Sequence, residues 1–170
     1  KDYLAAVELE ERRMKDNTRV VLNGSFCEQP PLGLIKSIEL AGCYIVDDDY
    51  IMANRMITTD IATEGDPLEN IAYAFLTDSM PFPSKFEPSE EEKGLYLADY
   101  VRKAGAEGVI FAAASFCDPA LLDQPLLHHV LDDQKIPYIA FQFAENSGQM
   151  QPIREQAGTF ADSIKLWSAA

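Results

Sequence analysis

Four short apolar runs, alternating with segments of helical character, constrain the fold of this chain more than any other feature. The runs cover residues 20–22, 43–46, 109–111 and 136–143. Short apolar runs that alternate with helices are typical of a parallel sheet covered on both faces. Right-handed crossovers allow the strand order 2-1-3-4. The sequence therefore predicts an α/β fold: a Rossmann-like, doubly wound, parallel four-stranded sheet flanked by helices.

The segments between these runs carry helix signals. Asp66 is a candidate N-cap ahead of Pro67, and Gly42 and Gly105 stand where two helices should end. A loop with three prolines is expected over residues 80–88. The predicted helices cover residues 3–15, 30–41, 67–79, 89–104, 119–134 and 148–167.

Length and charge limit the class of protein. A chain of 170 residues suits a single α/β domain over residues 1–170. Its 14 basic and 28 acidic residues give a formal charge of −14, which would repel nucleic acid. No apolar run approaches the ~18 residues of a membrane span. The chain begins without Met, on a helix already under way, and we expect it to be a piece of a longer protein.

The tripeptide Ser-Phe-Cys occurs twice, at residues 25–27 and 115–117, in matching surroundings. Each copy follows an apolar run and precedes an acid and a proline that can open a helix. In the order 2-1-3-4 the first and third strands are neighbours, and the chain leaves them in opposite directions. Such switch points are where these folds bind ligands. We therefore expect Cys27 and Cys117 to lie near each other.

Two cysteines before helix N-termini point to metal chemistry. The positive end of a helix favours thiolate over thiol, and a nucleophile would need one cysteine and a base. Zinc or an iron–sulfur cluster normally takes three or four protein ligands, so further ligands would come from another domain or chain. The alternative is that Cys27 and Cys117 are small buried residues. Cys43, at the head of a strand on the opposite edge, is assigned to the core. Three cysteines without a short-spaced pair favour a reducing cytoplasm.

Other polar groups give weaker signals. The run Asp47, Asp48, Asp49 could hold Mg²⁺ but is more typical of a solvated turn or cap. Residues 145–149 follow the fourth strand and could contact a polar ligand or cap the last helix. His128 and His129 lie too far along a helix to reach the same edge and are assigned to its surface or to the core edge. No catalytic or substrate-binding residue is assigned.

Two stretches resemble a known family. They are GSFCEQPPLGLIKSIELAGCYIVDDD and GAEGVIFAAASFCDPALLDQPLLHHVLDDQKIPYIAFQFAENSGQMQPIREQAGTF. Together they resemble the C-terminal domain of the benzoyl-CoA reductase and 2-hydroxyacyl-CoA dehydratase subunit family. The segments FCEQPPLGLI and GCYIVDDD are most similar to the benzoyl-CoA reductase members of this family.

This resemblance implies a C-terminal fragment of a two-domain subunit. A [4Fe–4S] cluster would lie between the domains, held by Cys27, Cys117 and a third cysteine of the N-terminal domain. The fragment alone would hold the cluster poorly or not at all and would be inactive. The implied partners are a homologous catalytic subunit, ATP-hydrolysing iron–sulfur activator subunits and ferredoxin as electron donor. The implied reaction reduces the ring of an aromatic acyl-CoA to a cyclic diene thioester.

Three other functions stay open. The nearest is a 2-hydroxyacyl-CoA dehydratase subunit, a lyase built from the same parts. A second is a thiol–disulfide protein in which Cys27 and Cys117 form a redox pair without iron. A third is an α/β interaction module whose cysteines are only buried.

Overall fold

The computed structural model describes residues 2–11, 15–24, 30–50, 58–79, 90–144 and 150–168, with the backbone alone for 90–93. These residues form four strands and six helices. The strands are β1 (Thr18–Gly24), β2 (Cys43–Asp48), β3 (Gly108–Ala114) and β4 (Tyr138–Phe143). The helices are α1 (Asp2–Glu8), α2 (Leu32–Leu40), α3 (Pro67–Thr77), α4 (Glu90–Ala104), α5 (Asp118–Asp133) and α6 (Met150–Ser168).

The four strands form one parallel sheet in the order β2-β1-β3-β4. This confirms the predicted fold class and strand order. β1 and β3 are the central pair, and Gly24 at the end of β1 lies opposite Ala112 near the end of β3. The carboxyl ends of the two strands that precede the Ser-Phe-Cys turns therefore meet at one edge of the sheet.

Both faces of the sheet are covered by apolar packing. On one face, Leu22 and Ile110 pack with α2 and α6, whose buried residues include Ile38. On the other face, Val21 and Phe111 pack with α4 and α5. Because alternate residues of the central strands face opposite layers, both layers exclude water from the same two strands. The sheet thus separates two hydrophobic cores and contributes side chains to both.

The pairing of β1 with β2 is irregular at one point. Val20 lies opposite Ile45, but the next residue, Val21, lies opposite Asp47. β2 therefore carries one additional residue, Val46, which is partly exposed. Such a bulge changes which face of the sheet the following side chains meet.

Several predicted helix boundaries are confirmed. Asp66 Oδ1 accepts hydrogen bonds from the Leu68 and Glu69 amides, at 2.8 and 3.1 Å, and so caps α3. Gly42 and Gly105 follow α2 and α4 with positive φ values of 100° and 62°. None of the described helices is long and apolar enough to cross a lipid bilayer.

The first helix is shorter than predicted. α1 ends at Glu8, whereas the pattern predicted a helix to residue 15, and residues 12–14 lie outside the described part of the chain. None of the α1 residues is buried, and Leu4 is largely exposed. Since tertiary packing supplies most helix stability, an apolar stripe with no surface to cover does not sustain a long helix.

The two adjacent histidines of α5 have different surroundings. His128 lies at the edge of the core and His129 on the helix surface, which are the two kinds of position that the sequence predicted. The His128 ring stacks on Tyr138, with centroids 4.3 Å apart, and meets Phe111 edge-on at 4.7 Å. Its Nε2 is buried, with no hydrogen-bond partner in the described residues. Burial lowers the pKa of His128, and the charge of Asp132 partly offsets this. His129 is exposed beside Asp133.

The half-buried His128 predicts a loss of stability in mild acid. Above pH 6.5 the imidazole is neutral in both states; below it, the unfolded chain takes up a proton first, because the folded-state pKa is lowered. The free energy of unfolding should therefore fall as pH drops through this range, and less so in His128→Phe, which keeps the ring contacts. Urea unfolding at several pH values measures this. His129→Gln is the control, and an equal pH slope in wild type and His128→Phe would contradict the prediction.

Candidate functional site

The carboxyl edge of the central strands is the candidate site. β1 ends at Gly24, and Cys27 follows three residues later in the sequence. β3 ends at Ala114, and Cys117 follows at the start of α5. β1 and β3 are paired neighbours, so the predicted adjacency of the two strands that precede the Ser-Phe-Cys segments is confirmed. Cys27 itself lies in residues 25–29, outside the described residues, so its approach to Cys117 stays a prediction.

Cys117 occupies the N-cap position of α5. Its amide donates to the Ala114 carbonyl at 3.0 Å, and its carbonyl accepts from the Leu121 amide at 3.1 Å. The residue is 7% exposed and packs in a small cluster with Ala113 and Ala120. These contacts fix the thiol at the positive end of a 16-residue helix.

Phe116, the residue before Cys117, combines backbone strain with exposure. Its φ is 67°, in the left-handed region, and 95% of the residue is exposed. A non-glycine residue in this region costs about 1–2 kcal/mol. The preceding Ser115 amide donates to the Phe143 carbonyl at 2.7 Å, so the β3–β4 ladder continues up to the strained residue. The backbone therefore reverses abruptly between β3 and α5, and an aromatic ring projects from the edge beside Cys117.

Among the described residues, the donor groups would fit one ligand position of a cluster and form no complete metal site. Cysteine sulfur is the ligand that iron–sulfur clusters take, and Cys117 would supply one such sulfur at this edge. In the described ranges, no three or more histidine, cysteine or acidic side chains are grouped so as to hold a metal ion. The remaining ligands of a cluster would have to come from Cys27 and from outside these ranges.

Asp49, in the loop after β2, is not the solvated turn residue that the acidic run predicted. It is completely buried. Its Oδ2 accepts from Asn23 Nδ2 at 2.6 Å and from the Tyr96 hydroxyl at 3.2 Å, and its Oδ1 accepts from the Gly24 amide at 3.0 Å. Asp47 and Asp48 are partly buried. The carboxylate of Asp49 thus joins the ends of β1 and β2 to α4.

Sequence reasoning missed Asn23 and Tyr96 as members of this group. Asn23 follows Leu22 in β1 and is 7% exposed, and its Nδ2 also lies 3.3 Å from the Tyr96 hydroxyl. A signal for Asn23 was available: in the order 2-1-3-4, a polar residue ending the first strand lies beside an acid ending the second. Tyr96 carried no such signal, because its position depends on how α4 crosses the sheet.

Tyr50 and Gly24 are in close contact at the same edge. A Cβ atom added at Gly24 would lie 2.3 Å from Cε1 of Tyr50 and 2.9 Å from the carbonyl oxygen of Ala112. Neither distance is possible without movement, and the second involves backbone. Glycine is therefore required at the end of β1, where the ring of Tyr50 covers the strand.

Cys43 is a core residue, as predicted. It is fully buried at the start of β2, at the opposite edge of the sheet from Cys117, and its Sγ lies 3.9 Å from the Ala157 carbonyl oxygen. Burial raises the pKa of the Cys43 thiol to about 11, although the charge of Lys165 acts in the other direction. This thiol is protonated at neutral pH and takes no part in chemistry at the candidate site.

Some predicted features lie outside the described residues. These are residues 145–149 after β4 and the proline-rich loop at residues 80–88. A groove of about 1230 Å³ lies between β4 and α6 and is lined in part by Tyr138, Phe160 and Trp167. The groove is not lined by Asp49, by its partners Asn23 and Tyr96, or by Cys117. This groove is separate from the candidate site.

Burial and a raised pKa predict that Cys43 resists alkylation in the folded chain. We expect iodoacetamide at about pH 8 to leave Cys43 unmodified until the chain is unfolded in urea, because the thiolate is the reacting species. Mass spectrometry of peptides after timed labelling measures this. Labelling of Cys43 at the same rate with and without urea would contradict the core assignment.

The strain at Phe116 predicts a stabilising substitution. Phe116→Gly removes the left-handed penalty and loses little packing, since the ring is exposed, so we expect stability to rise by up to about 1 kcal/mol. Lys135→Gly is the matched control, because Lys135 also has a positive φ, of 56°, but follows α5 at its other end. Urea unfolding compares the two. A destabilised Phe116→Gly variant beside a stabilised Lys135→Gly would show that the ring of Phe116 makes a contact worth more than the strain.

Comparison with known proteins shows that the sequence matches a protein family. The model of the 2-hydroxyglutaryl-CoA dehydratase, D-component, family matches residues 2–164. Over 168 residues the chain is 62% identical to one of the subunits of benzoyl-CoA reductase from Thauera aromatica, covering 99% of the chain and 44% of that protein.

More distant relatives are dehydratase subunits. The chain is 23% identical over 166 residues to lactoyl-CoA dehydratase subunit beta of Anaerotignum propionicum, covering 96% of the chain and 43% of the relative. It is 27% identical over 156 residues to (R)-2-hydroxyglutaryl-CoA dehydratase subunit beta of Acidaminococcus fermentans, covering 88% and 39%. The chain spans less than half the length of each of these relatives.

Proposed function

The chain belongs to the 2-hydroxyglutaryl-CoA dehydratase, D-component, family, and from this we propose that it is part of the iron–sulfur catalytic subunit of an ATP-dependent benzoyl-CoA reductase. The observation that carries the proposal is the 62% identity to a benzoyl-CoA reductase subunit over nearly the whole chain, against 23% and 27% for two dehydratase subunits. The substrate is an aromatic acyl-CoA, whose ring is reduced to a cyclic diene thioester.

In this proposal the edge after β1 and β3 holds one side of a [4Fe–4S] cluster. Cys117 is one ligand, Cys27 is a second, and the third is a cysteine of a further domain of the full-length subunit. A bound cluster supplies one-electron transfer at low potential. Cys117 lies at the N-terminus of α5, and the small side chains of Ala113 and Ala120 leave its thiol in an apolar, water-poor setting.

The proposed complex contains further subunits besides the one to which this chain belongs. A homologous catalytic subunit pairs with it, and ATP-hydrolysing iron–sulfur activator subunits deliver electrons from ferredoxin. The acidic surface, with a formal charge of −14, gives no support to a nucleic-acid partner. We place the complex in the cytoplasm, where a reducing environment keeps cysteine available as a metal ligand.

Removing either proposed ligand should remove iron. We expect Cys117→Ala and Cys27→Ala, in the full-length subunit purified with its partners without oxygen, to lose about four iron atoms, one cluster's content, together with the corresponding EPR signal. Iron and acid-labile sulfide analysis with EPR measures this. Cys43→Ala is the matched control, since its sulfur is buried at the opposite edge, and it should keep the iron.

The outcomes separate the competing functions. Unchanged iron in both ligand variants would overturn the cluster assignment. Reversible loss of two thiols on oxidation, in a preparation without iron, would identify a thiol–disulfide protein instead. If the cluster is present, assays of the intact complex with benzoyl-CoA and with a 2-hydroxyacyl-CoA decide between reductase and dehydratase. Dehydration without ring reduction would overturn the reductase proposal.

A further inference from the structure

Phe116, in the turn between β3 and α5, has a backbone conformation that few side chains adopt. Its φ is 67°, in the region that glycine, asparagine and aspartate ordinarily occupy. Among the described residues, the other non-glycine residue with a positive φ is Lys135, which follows α5, where left-handed residues commonly end a helix. Phe116 comes before a helix, so helix termination does not account for its conformation.

Burial of the ring does not account for this conformation either. Phe116 is 95% exposed, whereas residues 114, 115 and 117 of the same turn are buried or partly buried. The ring–ring contacts of the described residues do not involve Phe116. The chain thus keeps a large apolar ring in water and accepts backbone strain to do so. Strain of this kind is concentrated at functional sites and ligand contacts.

Hydrogen bonds on either side of Phe116 hold its backbone in place. The Ser115 amide donates to the Phe143 carbonyl at 2.7 Å, and the Cys117 amide donates to the Ala114 carbonyl at 3.0 Å. Because both neighbours are anchored, the ring extends from a fixed point of the sheet edge. A ligand that meets this ring therefore causes little further ordering of the chain.

The charge beside Phe116 indicates which part of an acyl-CoA this edge accepts. Asp118 is exposed in the first turn of α5, two residues after Phe116. The whole chain has a formal charge of −14. An acyl-CoA has an apolar acyl end and a distant end that carries phosphates. Acidic surroundings repel phosphates, whereas an exposed aromatic ring attracts an apolar group. The acyl end is therefore the part that fits this edge.

We propose that Phe116 contacts the aromatic ring of the acyl-CoA substrate and is a specificity-determining residue. This rests on the proposed function, in which Cys117 holds the cluster that supplies electrons to that ring. Two aromatic rings meet offset or edge-on, and such a pair strengthens binding by up to about 10-fold beyond the loss of exposed area. Phe116 thus favours aromatic over aliphatic acyl groups, next to the proposed source of electrons.

The test measures the affinity of two thioesters for the full-length subunit in its complex, prepared without oxygen. Benzoyl-CoA carries the ring, and acetyl-CoA has the same CoA portion without it. In Phe116→Gly we expect the Kd of benzoyl-CoA, from equilibrium dialysis, to rise about 10-fold and that of acetyl-CoA to stay unchanged. Phe116→Tyr keeps the ring and should bind benzoyl-CoA within about 2-fold of wild type. Since Phe116→Gly also relieves strain, unfolding would not explain the lost affinity.

Leu122→Ala is the matched control for the loss of an exposed apolar side chain. Leu122 is 78% exposed and lies further along α5. This variant should bind both thioesters with wild-type affinity. Unchanged benzoyl-CoA affinity in Phe116→Gly would overturn the inference. An equal loss of affinity for both thioesters would also overturn it, because the ring would then support the edge or contact another domain instead of recognising the acyl group.

The binding measurement separates this inference from the proposed function. If Cys117→Ala keeps all its iron while Phe116→Gly loses affinity for benzoyl-CoA alone, ring recognition stands and the cluster assignment fails. If the Cys117 variant loses a cluster while Phe116→Gly binds benzoyl-CoA normally, the cluster assignment stands and ring recognition fails. A wild-type complex that does not bind benzoyl-CoA would overturn both.

Discussion

The central strands β1 and β3 are buried on both faces of the sheet, because α2 and α6 cover one face and α4 and α5 the other. This burial on both faces fixes the central strands, and the position of the candidate site depends on where they end. Parallel strands bring their carboxyl ends to one edge, and the two central strands end there side by side, with Gly24 opposite Ala112. The helix that starts at Cys117 and the carboxylate of Asp49 both act at that edge. The position of the candidate site is therefore a consequence of strand order.

Much of this architecture could be predicted from the sequence, since it follows from the period of the apolar residues. The strand order and the Asp66 cap are confirmed, and Cys43 is buried as expected. These features depend on local pattern and on general rules of connection. The predicted approach of Cys27 to Cys117 remains a prediction, because Cys27 lies outside the described residues.

The errors arise where a side chain meets a distant element. Asp49 belongs to a run of three acids, which is ordinarily solvated, but the hydroxyl of Tyr96 and the end of β1 enclose it. The length of α1 was overestimated because its apolar stripe covers no buried surface. Both cases depend on packing between segments far apart in the sequence, which the periodicity of one segment does not contain.

The extra residue in β2 has a consequence for how the chain can change its length. Val21 and Asp47 share a level of the sheet and Leu22 shares one with Asp48, so alternation turns Asp49 toward the layer of α4. If Val46 paired as a regular member of the ladder, strict alternation would place Asp49 on the same face as Cys43 and Ile45, among the apolar side chains of the α2 and α6 layer. The bulge at Val46 thus determines whether the side chain of Asp49 lies among hydrogen-bond donors or among apolar side chains. Deletion of Val46 would remove the bulge but keep Asp47 opposite Val21, so the chain can lose this residue without turning Asp49 away from its donors.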